Sequence, residues 1–312
     1  MANKISLIVP VYNEENSIGP FLKRTLKVLR SLVGDSYEII FCLDPSDDNT
    51  FEVIKNYCLK NKKIKLITFS RRFGQPSATI AGLSNCTGDF IVVIDVDLQD
   101  PPEIIANLYG KILEGYDVVN AKRIKRKGET IFKLLTTKIG YYIINKISDV
   151  NIPESVGDFR IFNKKVLHYI LQLKEKHGFL RGLVAFVGFN QTYFEYCRDE
   201  RYLDDGKYNK FFGSIKIGLN GIIGFSSKPL FLMSISGFIF AFMSFFLGIW
   251  YLLQKILGLG ITPGLSTTVI LITFFSGIQL IGIGLLGEYI GRIYDEVKER
   301  PLFIIDKKIN LK

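Results

Sequence analysis

Asp95 and Asp97, one residue apart and followed closely by Gln99 and Asp100, form a compact group of oxygen ligands. A hard divalent cation such as Mg2+ or Mn2+ suits such a group. Mg2+ takes one or two carboxylates and completes its shell with water and phosphate oxygens. Asp95 follows directly on an apolar run of strand length, residues 90–94, and Asp44 follows another, residues 37–43. Carboxylates at two strand ends fit a cation that bridges a diphosphate and acts as a Lewis acid on a departing phosphate group. An Asp-x-Asp pair alone is common on protein surfaces. Its position after a buried strand gives this one weight.

The elements that must hold these groups can be read from periodicity. Residues 5–11, 37–43, 64–69 and 90–94 are apolar, β-branched runs of strand length; 15–33, 50–60 and 75–86 carry helical spacing. A helix and a further strand are expected between 102 and 118. Strand–helix alternation of this kind predicts an α/β fold with a mainly parallel sheet flanked by helices, and ligands at the carboxyl ends of its strands.

The 312 residues carry a net charge of +10 and are 48% apolar, yet 22% are charged. The apolar residues concentrate between 229 and 287. Two stretches there, 229–254 and about 263–287, each exceed the roughly 20 residues that span a bilayer. Lysines and arginines flank both outer ends, and the turn between the stretches has one lysine, Lys255. The positive-inside rule therefore predicts a multi-pass protein of the cytoplasmic membrane with its first domain and C-terminal tail in the cytoplasm. Residues 207–224 mix lysines with aromatic and aliphatic residues, as a helix in the headgroup plane would. The expected division is a catalytic domain (1–205), an interfacial segment (206–228), a transmembrane hairpin (229–290) and a tail (291–312). An apolar hairpin this small leaves self-association into a homo-oligomer open. The opening residues read as a strand rather than a signal peptide, and the four separated cysteines as reduced thiols. Membrane lipids are expected partners. Nucleic acid is not, because the basic run 122–138 has only Phe132 to stack on a base.

Several segments together resemble the family 2 glycosyltransferases, which have the A-type nucleotide-binding fold, and within them the polyisoprenyl-phosphate glycosyltransferases. These are Ile8-Val9-Pro10-Val11-Tyr12-Asn13-Glu14-Glu15, Ser70-Arg71-Arg72-Phe73-Gly74-Gln75, Thr87-Gly88-Asp89, the run from Asp95 through Pro102-Glu103, Gly157-Asp158-Phe159-Arg160 and Phe179-Leu180-Arg181-Gly182. Near the end, Leu286-Gly287-Glu288-Tyr289-Ile290-Gly291-Arg292 is similar to the two-helix bacterial branch. The resemblance implies an inverting transfer from a nucleotide-sugar, with UDP-glucose the first expectation, to a polyprenyl phosphate such as undecaprenyl phosphate. It implies that Pro10, Tyr12, Glu14 and Asp44 hold the base and ribose. Asp95, Asp97 and Gln99 would surround the metal and diphosphate, with Asp97 and Asp158 the catalytic carboxylates. Arg123 and Arg126 fall in the segment used for the acceptor phosphate, and Arg201 and Lys207 are further phosphate candidates.

The chemistry agrees with sparing use of a base. A phosphate monoester has a second pKa of about 6, so the nucleophile is already anionic near neutrality. Asp158 is expected to position the acceptor or to stabilise charge on the sugar, with a structural pairing to Arg160 or Arg181 as the plain alternative. Departures from the family pattern are Pro45 after Asp44, expected to reshape the loop beneath the nucleotide, and Arg72, where asparagine is more usual. Two rival functions fit the sequence less well. A processive polysaccharide synthase would carry a Gln-x-x-Arg-Trp motif, and Trp250 lies inside an apolar stretch instead; a catalytically inactive membrane scaffold would not need Asp95, Asp97 and Asp158.

Overall fold

A computed structural model describes residues 3–124, 156–173, 175, 180–198, 223–224, 226–258 and 264–311. Among them the chain order is β1 (Ile5–Val11), α1 (Ile18–Val33), β2 (Tyr37–Leu43), α2 (Thr50–Lys60), β3 (Ile64–Phe69), α3 (Gln75–Ser84), β4 (Phe90–Val93), α4 (Ile104–Leu113) and β5 (Val118–Arg123). There follow β6 (Val156–Asn163), α5 (Lys164–Gln172), α6 (Leu180–Val187), β7 (Gln191–Tyr196), α7 (Lys228–Ile256), α8 (Leu265–Val297) and β8 (Ile305–Ile309). One eight-stranded sheet runs in the order β7-β5-β6-β4-β1-β2-β3-β8.

β1 and β2 are buried along their whole length because helices cover both faces of the sheet. Ile5, Leu7 and Val9 point into a core shared with α1, α2 and α4; Ile8 points into a second core with α3, α5 and α6. The central strands β4, β1, β2 and β3 are parallel, as expected, and their bounds agree closely with the apolar runs. β6 is antiparallel to both β4 and β5. The segment 291–312, expected as a tail, divides between the end of α8 and β8, which pairs antiparallel with β3 and closes that edge of the sheet. Most of the expected interfacial segment lies outside the described residues.

A buried polar knot ties the amino ends of the strands. Glu38 of β2, 1% exposed, accepts hydrogen bonds from Lys65 Nζ (2.6 Å), Ser6 Oγ (2.5 Å) and the Thr87 backbone N–H (2.6 Å). Burial by itself raises its carboxyl, but Lys65, Ser6 and Thr87 outweigh burial and bring it down from 4.5 to about 2. A lowered folded-state pKa contributes stability that is complete above the unfolded value and is lost as pH falls from about 4.5 towards 2. The shift corresponds to roughly 3 kcal/mol. Glu38→Gln is therefore expected to flatten the acid limb of a melting-temperature profile between pH 5 and 2. An unchanged limb would assign acid unfolding to other carboxylates.

α7 and α8 contain 29 and 33 residues, and both are long and apolar enough to cross a membrane. Large side chains such as Phe238, Phe242 and Trp250 of α7 and Leu280 and Ile281 of α8 face outward. The two helices meet through Met233 against Gly282 and through Phe240, edge-on to Phe275 at 5.5 Å. α8 continues beyond the expected end of its apolar stretch. Its last turns carry Glu288, Arg292, Asp295 and Glu296, and Tyr289 donates to the Ser226 carbonyl at 2.7 Å.

Candidate active site

From β1 the sheet grows outward through β2 and β3 on one side, and β4 is laid down on the other. The carboxyl ends of β1 and β4 therefore flank a topological switch point, where open α/β sheets form their binding crevice. Tyr12 stands just past the end of β1 and Asp95 just past β4. The loop after β1 is laced to the loop after β2. The Asn13 N–H donates to Ser46 Oγ (3.1 Å), Asn13 Oδ1 accepts from the Asp47 N–H (3.0 Å), and the Glu14 N–H donates to Thr50 Oγ1 (2.9 Å). Asn13 adopts a φ of 52°, a left-handed conformation that asparagine tolerates better than most residues. Pro45 offers no N–H, and Ser46 fills the gap by donating its hydroxyl to the Asp44 carbonyl at 3.0 Å.

Asp44 is buried, and its two carboxylate oxygens accept the backbone N–H groups of Phe73 (3.0 Å) and Gly74 (2.8 Å). It holds the loop after β3 against the end of β2. The next residue, Gln75, donates from Nε2 to Asp95 Oδ1 at 2.8 Å. Asp97 Oδ1 accepts from the Gln99 N–H at 3.1 Å, and Leu98 between them is forced to a φ of 60°. That strained turn follows Asp97 directly and is closed by the same hydrogen bond.

Negative charge accumulates here. Burial, then the carboxylates of Asp158, Asp97 and Asp100, push the Asp95 carboxyl up to about 7. Among the described residues no three ligating side chains converge closely enough to hold an ion unaided. Asp95 and Asp97 supply oxygen donors of the kind that a hard divalent cation takes together with phosphate oxygens.

Arginines face this acidic group from the other wall. Asp158, in β6, accepts Arg181 Nε at 2.9 Å and Nη2 at 3.5 Å. Burial raises its carboxyl, but Arg181, Arg160 and Arg123 together bring it below the usual carboxylate range. Arg160 is almost wholly buried, donates to the Gly157 carbonyl at 2.8 Å, and is lowered by burial to about 10. Asp100, 1% exposed, accepts from Tyr196 Oη (2.5 Å), Arg123 Nη2 (3.0 Å) and Arg198 Nε (3.3 Å). A Cβ on Gly157 would lie 2.6 Å from Arg123 Nη2, so a larger residue there would make that guanidinium shift.

Of the residues read from the sequence, Asp95, Asp97 and Asp158 share one charged crevice with Arg123. Tyr12, Glu14 and Asp44 gather at its β1–β2 end, and Pro10 is buried within β1, opposite Cys42. Arg123, expected at the acceptor phosphate, is paired to Asp100 and Tyr196. Arg126, Arg201 and Lys207 lie outside the described residues. Sequence reasoning gave no role to Gln75, Tyr196 or Arg198. Gln75 ends the family-like run that begins at Ser70, but nothing in the sequence marks Tyr196 or Arg198.

Comparison with known proteins finds relatives that align with nearly the whole chain. The pattern of glycosyl transferase family 2 matches residues 6–171. A glycosyltransferase of Bacillus subtilis described as uncharacterized, YkcC, is 43% identical over 98% of this chain and 94% of its own. The prophage bactoprenol glucosyl transferase homolog of Escherichia coli is 40% identical over 97% of this chain and 99% of its own. The SfII prophage-derived bactoprenol glucosyl transferase of Shigella flexneri is 40% identical over 97% and 98%. Among solved structures, glucosyl-3-phosphoglycerate synthase of Mycobacterium tuberculosis, bound to Mn2+, UDP-glucose and phosphoglyceric acid, overlaps 71% of this chain and 79% of its own, with a TM-score of 0.48 at 19% identity. With the family pattern matched across its nucleotide-binding half and such relatives aligned nearly end to end, the chain belongs to the family 2 glycosyltransferases.

Proposed function

We propose that this glycosyltransferase moves a sugar, glucose by first expectation, from a UDP-sugar to undecaprenyl phosphate at the cytoplasmic face of a membrane, with inversion at the anomeric carbon. The observation that carries the reading is the end-to-end similarity to bactoprenol glucosyl transferases, which includes both long helices as well as the crevice. The outward-facing apolar side chains of α7 and α8 support a bilayer around them. The flanking basic residues support a cytoplasmic crevice.

In this reading the base and ribose lie at the Tyr12, Glu14 and Asp44 end, beside Pro10. The diphosphate lies over Asp95, Asp97 and Gln99. Mg2+ or Mn2+ bound there would neutralise the departing diphosphate. A phosphate oxygen of the acceptor attacks the anomeric carbon, its bond to the UDP oxygen breaks, and UDP leaves with that electron pair. Arg123 is the described candidate for the acceptor phosphate, and Arg126, Arg201 and Lys207 are the further candidates that the sequence offers. Asp158 is kept ionised by the arginines around it. A carboxylate so held is a poor base and a good electrostatic partner for positive charge developing on the sugar.

The test incubates the full chain in detergent with undecaprenyl phosphate, Mg2+ or Mn2+, and a panel of labelled UDP- and GDP-sugars. Organic-phase label from a UDP-hexose, lost with Asp97→Asn, is expected. Folded protein that labels no polyprenyl phosphate from any donor would overturn the reading.

A further inference from the structure

One short segment, residues 72–75, touches both ends of the donor crevice: Arg72 lies against Tyr12, the next two N–H groups bind Asp44, and Gln75 binds Asp95. We propose that Arg72 reads the nucleobase of the donor and selects uracil over cytosine. The inference rests on the donor reading above and names its specificity element.

The Arg72 guanidinium lies 3.8 Å from the Tyr12 ring centroid. A planar cation stacked this closely on a ring keeps its face on the ring and its N–H edge free to point sideways. Both sides of the stack are fixed by the backbone. Tyr12 is followed by the laced Asn13 turn, and Arg72 is followed by two N–H groups held by the buried Asp44 carboxylate. Among the described residues the Arg72 guanidinium donates to no protein acceptor, so its edge is available to a ligand. Arg71, its neighbour, stacks on Phe73 at 4.2 Å.

A guanidinium has five N–H donors and no acceptor. Uracil presents a carbonyl oxygen at C4, which such an edge can bond. Cytosine presents an amino group there, which sets donor against donor and leaves the arginine edge unsatisfied. A hydrogen bond to a charged donor is strong enough for a preference of about tenfold or more. Lysine cannot reproduce it, because a point charge on a flexible stem has no plane to stack on Tyr12.

The experiment titrates UDP and CDP, each with Mg2+, into the full chain in detergent, comparing wild type with Arg72→Ala and Arg72→Lys and checking each by thermal melting. Wild type is expected to prefer UDP by about tenfold or more. Both variants should lose that preference through weaker UDP binding, with CDP affinity little changed. Equal weakening of both nucleotides would overturn the proposal, since it would place Arg72 on the phosphates or ribose. Unchanged UDP binding in Arg72→Ala, or equal wild-type affinities, would overturn it too. Wild type that binds neither nucleotide would instead overturn the donor reading beneath it.

Discussion

Asp158→Asn is expected to lower turnover by about three orders of magnitude while nucleotide affinity stays near that of wild type. The carboxylate lies among Arg181, Arg160 and Arg123, which hold its charge on throughout the physiological range. Removing that charge removes stabilisation where the sugar becomes electron-poor and leaves the base end of the crevice untouched. The pH dependence separates this role from base catalysis. An acceptor with a second pKa of about 6 loses its dianionic form as pH falls, so the wild-type rate should decline below that pH. If the decline belongs to the acceptor, Asp158→Asn keeps it at the same pH on a much lower plateau. A variant that loses the acid limb would assign that limb to a protein carboxylate, either Asp158 or Asp95, which Asp158 helps to push up to about 7. Measurements with Asp158→Glu would show whether charge or position matters more.

Gly88→Ala is expected to be the most damaging small substitution for stability. A Cβ there would lie 2.5 Å from Ser6 Oγ, 2.7 Å from the Ser6 nitrogen and 2.9 Å from the Lys4 carbonyl oxygen. Two of those atoms are backbone, one in the central strand β1 and one in the residue just before it, and neither can retreat without disturbing the pairing of β1 with β2 and β4. The cost should be roughly 3 kcal/mol, or a fall in melting temperature on the order of 10 °C. Protein that remains folded should retain its nucleotide affinity, because this contact is at the amino ends of the strands and the crevice at their carboxyl ends. A melting temperature like that of wild type would mean that the β4 entry loop yields more easily than its contacts imply.

The Thr87-Gly88-Asp89 segment shows what a sequence can and cannot disclose. As a motif it helps to identify the family; only the structure makes it a clamp, with Glu38 accepting from Thr87 and Asp89 accepting the Lys4 N–H at 2.9 Å. The central strands were legible because each is an unbroken apolar run buried on both faces. β6 was not, since Gly157, Asp158 and Arg160 interrupt its pattern to serve the crevice. β8 was hidden for the opposite reason: Asp306, Lys307 and Lys308 make it look like solvated tail, which is how an edge strand protects itself. The carboxylates at the ends of β2 and β4 could be named in advance, but their partners could not. Asp100 meets Arg123, Tyr196 and Arg198 across separations of 23, 96 and 98 residues, and no local spacing encodes that meeting.

The pairing of β8 with β3 makes the helical hairpin an excursion from the sheet rather than an appendage to it. The chain leaves the domain before α7 and re-enters it after α8, with Ile304 accepting from the Ser70 N–H at 3.1 Å. A domain moored by both strands of the excursion cannot swivel on a single leash. In the bilayer setting proposed above, this second attachment would restrain the height and tilt of the crevice over the lipid. The same mooring makes truncation costly, for a chain cut before α7 would expose the flank of β3 and invite another sheet to pair there. A shorter soluble form would have to splice the last residues directly to the domain, so that the edge is still covered.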